Sequence, residues 1–435
     1  MKKTFISVGL VALGVGGVSA FAQTFSGLDP YKPWSVALTL RGYYDDNINT
    51  VSKGKQDSFG FEVSPSVGLH LSSEQTTFDA RYMYTAHYSD IAPANAADHF
   101  DQAHSFDLQL KHTFSDRYSL SIGDSFVIGQ EPDVLRAGDI MGSFQRISGN
   151  NIRNYGTINF DAQFTRLFGI EVGYANAFYD YQDSGAQFTS VGVIASHSGI
   201  SDRLEHTAHF DTHWQLLPQT VFVVGYQYSE TDFTGNEFIQ ADGSGGFYRS
   251  DVRDNRSHYG YVGLNQTFTP ELTGSVRVGA TYSESFNDPM GATSWSPYAQ
   301  LSLTYNYLPG CGVALGFTHD RNANNMAAGT VLATGTGPGF IHDSETSLVF
   351  ASVHHRITPK LLGTVMGSFQ QSTFNAPHLA IDGTSERFYM ASVDLEYQIT
   401  HHISVHSGYN FDLLNSEMGG NYTRNRVYIG ATFGY

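Results

Sequence analysis

The sequence predicts an all-β fold: a transmembrane, antiparallel, up-and-down β-barrel of about eighteen strands, with sixteen as the alternative. Two observations support this prediction. Apolar and polar residues alternate with a period of two along nearly the whole chain, and the connections between alternating segments are in turn short and long. Composition agrees, because 26 Tyr, 31 Phe and 45 Gly accompany a mean hydropathy of only -0.24.

The alternation defines each strand by an apolar face that would meet lipid. In the first segment, for example, Val36, Leu38 and Leu40 lie on one face, with Thr39 and Arg41 opposite. From the first to the last apolar residue, the segments are Val36–Leu40, Phe59–Leu71, Phe78–Tyr84, Leu108–Leu110, Leu120–Ile122, Ile158–Phe164, Ile170–Phe178, Ala208–Trp214, Phe222–Tyr226, Val262–Phe268, Val276–Tyr282, Ala299–Tyr305, Val313–Phe317, Val349–Val353, Leu361–Phe369, Tyr389–Tyr397, Ile403–Tyr409 and Val427–Tyr435.

The connections fix the strand number. Short turns join one set of neighbours, and long polar segments near 45–57, 89–102, 131–152, 183–203, 230–255, 285–295, 321–342, 371–385 and 413–423 join the other set. Tight turns on one side and long loops on the other are typical of outer-membrane barrels. The alternative of sixteen strands comes from Asp124, which falls on the apolar face of its segment and suggests a bulge or an early strand end.

Charge and cysteine content exclude several classes of protein. The net charge of -17 argues against a nucleic-acid partner. After the N-terminal region no apolar run is long enough for a membrane helix. The single cysteine, Cys311, cannot form an internal disulfide, and zinc motifs are absent.

The N-terminus has the features of an export signal. Lys2 and Lys3 precede a short apolar run that ends at Ala20-Phe21-Ala22, a small-x-small cleavage pattern. The predicted organisation is therefore a signal peptide (1–22), a short periplasmic segment (23–33) and an outer-membrane β-barrel (34–435). An uncleaved N-terminal anchor is the alternative.

Two motifs carry a resemblance to a known group of proteins. The run "RGYYDDNINT" (Arg41–Thr50) ends the first strand, and the chain ends on the aromatic sequence "ATFGY". With these motifs the chain resembles the β-barrel porin families of Gram-negative bacteria. The resemblance implies a cell outer membrane location, contact with lipid and lipopolysaccharide, insertion by the barrel-assembly machinery, passive diffusion of small hydrophilic solutes and, as an open option, a homotrimer.

Residues opposite the apolar face should line the lumen. The closing pairing of the last strand with the first should bring Arg41 near Arg424 and Arg426, and this basic patch could favour anions. Alternatively, the charges pair with acids such as Asp412 and only keep the wall rigid and wet. The candidate pore-lining residues are Arg41, Arg81, Lys111, Arg277, Asp394, Glu396, Arg424 and Arg426.

The third long loop is a candidate constriction. By its place in the order of loops it could fold inward and supply Glu131, Asp133 and Asp139 opposite the basic patch. An ordinary exposed loop is the alternative.

Other functions have less support in the sequence. No spacing of Ser, His and Asp singles out a nucleophile and its base, so we expect no enzyme and no cofactor. Asp45 and Asp46, or Asp251 and Asp254, could bind calcium, but solvated loop charge is the simpler interpretation because no EF-hand spacing occurs. A polysaccharide-export barrel and a structural or adhesive barrel that acts through its outer loops are the alternative functions.

Overall fold

The computed structural model describes residues 32–92, 99–129, 150–189, 192–242, 244–322, 341–376 and 381–435. The predicted signal peptide and most of the segment 23–33 lie outside these residues. Within the described ranges, no helix is both long and apolar enough to cross a membrane.

Strands dominate the chain from Trp34 to Gly434. They are β1 (Trp34–Asp45), β2 (Ser58–Ser72), β3 (Thr76–Ser89), β4 (Phe100–Ser115), β5 (Tyr118–Gly129), β6 (Asn151–Gln163), β7 (Phe168–Tyr181), β8 (Gln187–Thr189), β9 (Gly192–Ile194), β10 (Arg203–Leu217) and β11 (Thr220–Phe233). They continue with β12 (Phe238–Ala241), β13 (Phe247–Arg249), β14 (Asn255–Thr269), β15 (Leu272–Glu284), β16 (Thr293–Leu308), β17 (Cys311–Asn322), β18 (Asp343–Thr358), β19 (Leu361–Asn375), β20 (Ser385–Thr400), β21 (Ile403–Ser416) and β22 (Tyr422–Gly434).

Eighteen of these strands form one closed antiparallel barrel, as the sequence predicts. Each barrel strand pairs with the next barrel strand along the chain, and β22 pairs with β1 to close the sheet. Closure leaves no sheet edge facing lipid, where unpaired N–H and C=O groups would be costly. The predicted alternation of tight turns and long loops is also present.

The remaining elements lie in two outer loops. Strands β8 and β9 form a hairpin between β7 and β10, followed by the five-residue helix α1 (His197–Ser201). Strands β12 and β13 form a second hairpin between β11 and β14, followed by one 3₁₀ turn at Ser250–Arg253. The two hairpins and α1 therefore belong to the outer side of the barrel.

The two faces of the wall differ as the alternation predicts. On β22, for example, Ile429 is 64% exposed on the outer face, whereas Tyr428 turns inward and hydrogen-bonds to Asp394. Apolar side chains cover the outer face because no water is available there to solvate polar groups.

The strand that contains Asp124 continues without interruption. Its pairing with β6 has no register shift from Tyr118 to Gly129, so the expected bulge or early end, and with it the count of sixteen, is wrong. Asp124 stays on the outer face, where the side-chain amide of Asn154 donates to both carboxylate oxygens at 3.0 and 3.1 Å. This pairing explains how an acid is accommodated between Ile122 and Phe126.

The last residue is held in the sheet. Val36 and Tyr435 exchange two backbone hydrogen bonds, of 3.1 and 2.9 Å. The Tyr435 ring also lies 5.6 Å from the ring of Trp34, and the Lys32 ammonium lies 4.6 Å from its centroid. Aromatic rings and a basic side chain suit the membrane interface, so this end of the seam is anchored at the short-turn side.

Candidate functional site in the barrel lumen

The barrel register places the eight candidate pore-lining residues on the lumen side of the wall. Each of them alternates with outward apolar residues of its own strand. Their role in permeation stays a prediction, whereas their contacts can be described one by one.

The closing seam, formed by β21, β22, β1 and β2, holds its arginines in ion pairs. Arg424 donates from Nε and Nη2 to Asp412 Oδ2 at 3.0 and 2.8 Å. Arg426 donates in the same way to Asp45 Oδ2, at 3.1 and 3.0 Å. Asp45 has no exposed surface and Asp412 is 1% exposed. Both pairs are therefore buried, charge-assisted contacts between neighbouring strands.

Arg41 lies lower on the same seam than the other two arginines. It is opposite Gly430, whereas Arg426 is opposite Asp45, so four residues, or about 13 Å of strand, separate the two arginines along β1. The Arg41 guanidinium lies 4.6 Å from the centre of the Tyr428 ring and 3.7 Å from Glu62. The three arginines thus form a spaced series and not one compact patch.

The "YDDN" motif joins the first strand to the last. Asp46 accepts hydrogen bonds from the backbone N–H and the side-chain amide of Asn425, both at 2.6 Å. Asn47 donates to the carbonyl of Thr423 at 3.0 Å, and its N–H donates to Asp45 at 2.9 Å. The motif has a structural role that sequence reasoning missed, although acids at one end of β1 and Arg424-Asn425-Arg426 on β22 were a visible signal.

The other candidates are spread around the wall. Asp394 accepts from the Tyr428 hydroxyl at 2.6 Å, and Glu396 lies opposite His406. Arg81 lies opposite Asp107, and Lys111 lies opposite Ser121. These groups do not converge on one point, which distinguishes the lumen from a compact binding site.

A second charged region, which the sequence reasoning did not identify, lies on β6, β7 and β10. Asp161, Glu171 and Asp211 are direct register partners across these three strands, and we call them the carboxylate row. His209 Nε2 lies 3.4 Å and His213 Nε2 lies 3.8 Å from the Glu171 carboxylate. Glu171 is 2% and Asp211 3% exposed, so most of the row is shielded from the open lumen.

The row is supported from the strands beside it. The Tyr261 ring lies next to Gly225, where a Cβ would collide with both the ring and the Asp211 carboxylate. The absence of a side chain lets the Tyr261 hydroxyl reach Asp211 at 2.5 Å. Arg277, a candidate pore residue, donates to Asn265 at 2.8 Å on the same side.

The structure describes the residues considered for calcium binding but not those of the predicted constriction. Glu131, Asp133 and Asp139 lie outside the described residues, so the constriction stays a prediction. In the part of the chain that the structure describes, no group of His, Cys, Asp and Glu has the geometry of a metal site. The oxygens of Asp45 and Asp46 accept from Arg426 and Asn425, as described above, and Asp254 accepts from the backbone N–H of Phe233 at 2.7 Å.

Comparison with solved structures returns outer-membrane proteins. OpdK from Pseudomonas aeruginosa is 13% identical with a TM-score of 0.42, and the match covers 92% of this chain and 99% of that one. OccAB4 from Acinetobacter baumannii is 13% identical with a TM-score of 0.44, over 93% and 99% of the two chains. A BenF-like porin from Pseudomonas fluorescens Pf-5 is 11% identical with a TM-score of 0.44, over 93% and 99%.

Comparison with protein families gives the assignment. A search of curated proteins finds no match. The family described as "Putative beta-barrel porin 2" matches residues 35–435, which is the whole barrel. The chain therefore belongs to this family, and it is an outer-membrane porin, a channel for small solutes.

Proposed function

We propose that this porin passes small hydrophilic solutes by passive diffusion and that its lumen gives anions no marked preference. The observation that carries the proposal is the pairing of the seam arginines with Asp45, Asp412 and Glu62. A paired charge contributes little net potential to the pore, whereas rings of unpaired charge produce strong selectivity. Diffusion down a gradient requires neither a catalytic group nor a cofactor.

The carboxylate row also argues against a preference for anions. It adds negative charge to another part of the wall, where His209 and His213 lie beside Glu171. Because Asp161 is exposed and Glu171 and Asp211 are shielded, the field that reaches a solute is modest. We therefore infer a weak preference for cations.

Planar-bilayer recording of the refolded porin tests the proposal. We expect single-channel conductance and, under a potassium chloride gradient, a reversal potential of the sign for weak cation preference. A clear anion preference would contradict the charge argument, and absence of conductance would favour a structural or adhesive barrel. A polysaccharide-export barrel would instead show current that is blocked by long anionic glycans.

A charge variant sharpens the same measurement. Replacing Arg41, Arg424 and Arg426 by alanine would remove three cations and leave the charges of their carboxylate partners uncompensated. We expect a strong shift toward cations. Arg256→Ala is the matched control, since Arg256 pairs with Glu284 on the outer face at the exposed end of the strand. An unchanged reversal potential in the triple variant would place these residues outside the conducting path.

We also infer the route of this porin to the membrane. The N-terminal pattern supports cleavage after Ala22, and the paired, aromatic last strand supports recognition by the barrel-assembly machinery and contact with lipopolysaccharide in the outer leaflet. The mass of the protein extracted from outer membranes tests the cleavage. The native mass in mild detergent decides between a monomer and a homotrimer.

A further inference from the structure

Three outer loops meet at one buried arginine. Arg253, in the loop between β11 and β14, has no exposed surface. Its Nη1 donates to the carbonyl of Ile200 at 2.8 Å, and its Nε donates to the carbonyl of Ile341 at 3.1 Å. Ile200 belongs to α1, between β7 and β10, and Ile341 lies two residues before the start of β18. One guanidinium therefore bridges two loops and belongs to a third.

The contacts of Arg253 join loops that start from well-separated strands of the barrel. Strands β14 and β18 are four places apart around the wall, which is about 19 Å at the usual strand spacing. A direct hydrogen bond between loops rooted so far apart requires them to lean across the mouth. The Arg253 guanidinium also lies 4.1 Å from the centre of the Phe233 ring, and this ring points inward from the end of β11. The bridge is thus on the lumen side.

Apolar packing continues on both sides of the arginine. Toward β7, Ile200 packs with Ala195 and Ile239, and Ile200 and Ile239 are at most 1% exposed. Toward β20, Ile341 packs in a second cluster. The second cluster consists of Ile341, Phe374, Ala376 and Ile381, with Met418 against it. Loops from five of the nine long connections therefore join in one layer, which we call the outer cap.

Two polar contacts fasten the cap to the loop between β15 and β16. Asn287 donates to Asp254 at 2.8 Å, and His342 Nε2 lies 3.2 Å from Asp288 Oδ2. Asp254 directly follows Arg253, and His342 directly follows Ile341, so these contacts involve the loop of Arg253 and one of the two loops that it bridges. Buried apolar groups and these hydrogen bonds together hold the cap as one layer.

We propose that the outer cap sets the size limit for solutes at the outer mouth and that Arg253 is its positioning residue. Without the guanidinium, the carbonyls of Ile200 and Ile341 lose a shared donor, and the loops can separate without disturbing the barrel wall. The proposal rests on the channel function and adds a determinant of solute size to it.

Liposome swelling with neutral sugars of increasing size tests the proposal. Arg253→Ala should admit larger sugars than the unmodified porin, and its single-channel conductance should rise. Arg249→Ala is the matched control, because Arg249 is an exposed arginine of the same loop, and its contacts with Asn236 and the Phe238 ring stay within that loop. Neutral sugars report size independently of the lost charge, and unchanged heat-modifiable migration on gels confirms an intact barrel.

The outcomes separate this proposal from the channel function itself. If the unmodified porin conducts and Arg253→Ala admits the same sugars at the same rates, the cap proposal is wrong. If the unmodified porin does not conduct, the channel function fails first. Should Arg253→Ala not refold, Arg253→Lys keeps the charge but cannot bridge two carbonyls as a planar fork does, and it should shift the size limit in the same direction.

Discussion

Two parts of the lumen wall hold their charges in different ways. At the closing seam each arginine contacts a carboxylate, as in the buried pairs Arg424–Asp412 and Arg426–Asp45. On β6, β7 and β10, three carboxylates are register partners of one another, and histidine and tyrosine side chains contact them. The seam joins the two ends of a sheet, where opposite charges specify one register, whereas the row lies in the middle of continuous hairpins that are already in register. The charges at the seam therefore help to close the barrel in one register, whereas the charges of the carboxylate row make the lumen more negative.

The largest effect is expected at the seam. Asp45→Ala would leave the buried Arg426 guanidinium without its carboxylate, and breaking a buried ion pair in this way costs about 3–5 kcal/mol. Urea unfolding of the porin in lipid vesicles measures this loss. The control is Glu284→Ala, which removes the partner of Arg256 in a much more exposed pair and should cost about 1 kcal/mol or less. Equal losses would show that closure does not depend on the seam pairs.

The second largest effect on stability is expected at Gly225, which leaves room for the contact of Tyr261 with the carboxylate row. Gly225→Ala would push the Tyr261 ring away from Asp211, and overpacking of this kind costs about 1–3 kcal/mol. Gly260→Ala lies on the outer face of β14, where an added Cβ would meet no atom within 4 Å, and it should change stability by less than about 0.5 kcal/mol. The same unfolding assay compares the two. A neutral Gly225→Ala would show that the ring contact contributes nothing to the wall.

The cap should make this side of the porin sensitive to acid. Burial raises the pKa of Asp202 and of Asp254 to about 6. Because these raised values favour the protonated forms in the packed cap, the cap is stabilised as pH falls below about 6 and destabilised when both acids ionise above it. We expect lower conductance at pH 5 than at pH 7.5, measured on single channels.

Variants identify the groups responsible for that acid response. Asp202→Asn with Asp254→Asn should show at pH 7.5 the conductance of the unmodified porin at pH 5. Hydrogen bonds keep the pKa of Asp288 lowered despite its burial, so that acid stays ionised over this range. A response that persists unchanged in the double variant would show that Asp202 and Asp254 do not cause it.

The smallest effect concerns the charge of the row. Glu171→Gln removes one of three adjacent negative charges and should reduce cation preference slightly. The reversal potential under a salt gradient measures this preference. A larger shift from Glu171→Gln than from the triple arginine variant would reverse the order of importance of the two regions.

The period of two was enough to predict the barrel from the sequence. It places Arg41 and Arg426 on the inner face, because the direction of a side chain in a strand depends only on its position in the alternation. The same logic placed Asp124 on the outer face but could not show that Asn154 satisfies it. That contact depends on the register between β5 and β6.

Which residues meet across strands was harder to predict. The expected neighbour of Arg426 was Arg41, and its actual neighbour is Asp45, because the stagger with which β22 meets β1 is a property of the whole barrel. Predicting the carboxylate row would require two registers at once, that of β6 with β7 and that of β7 with β10. The contacts of Arg253 had no periodic signal at all, since they join irregular loops that only the closed barrel brings together.

The contact between Asp46 and Asn425 also marks the closure of the barrel, because it joins residues that are 379 positions apart. Its two partners lie on the first and last strands, so it can form only when β1 meets β22, and β1 is an open edge until then. Two adjacent carboxylates at the end of that edge discourage pairing with the wrong strand. Strand β22 carries the matching Asn425 and Arg426, so these contacts favour the closing pairing over other partners of β1.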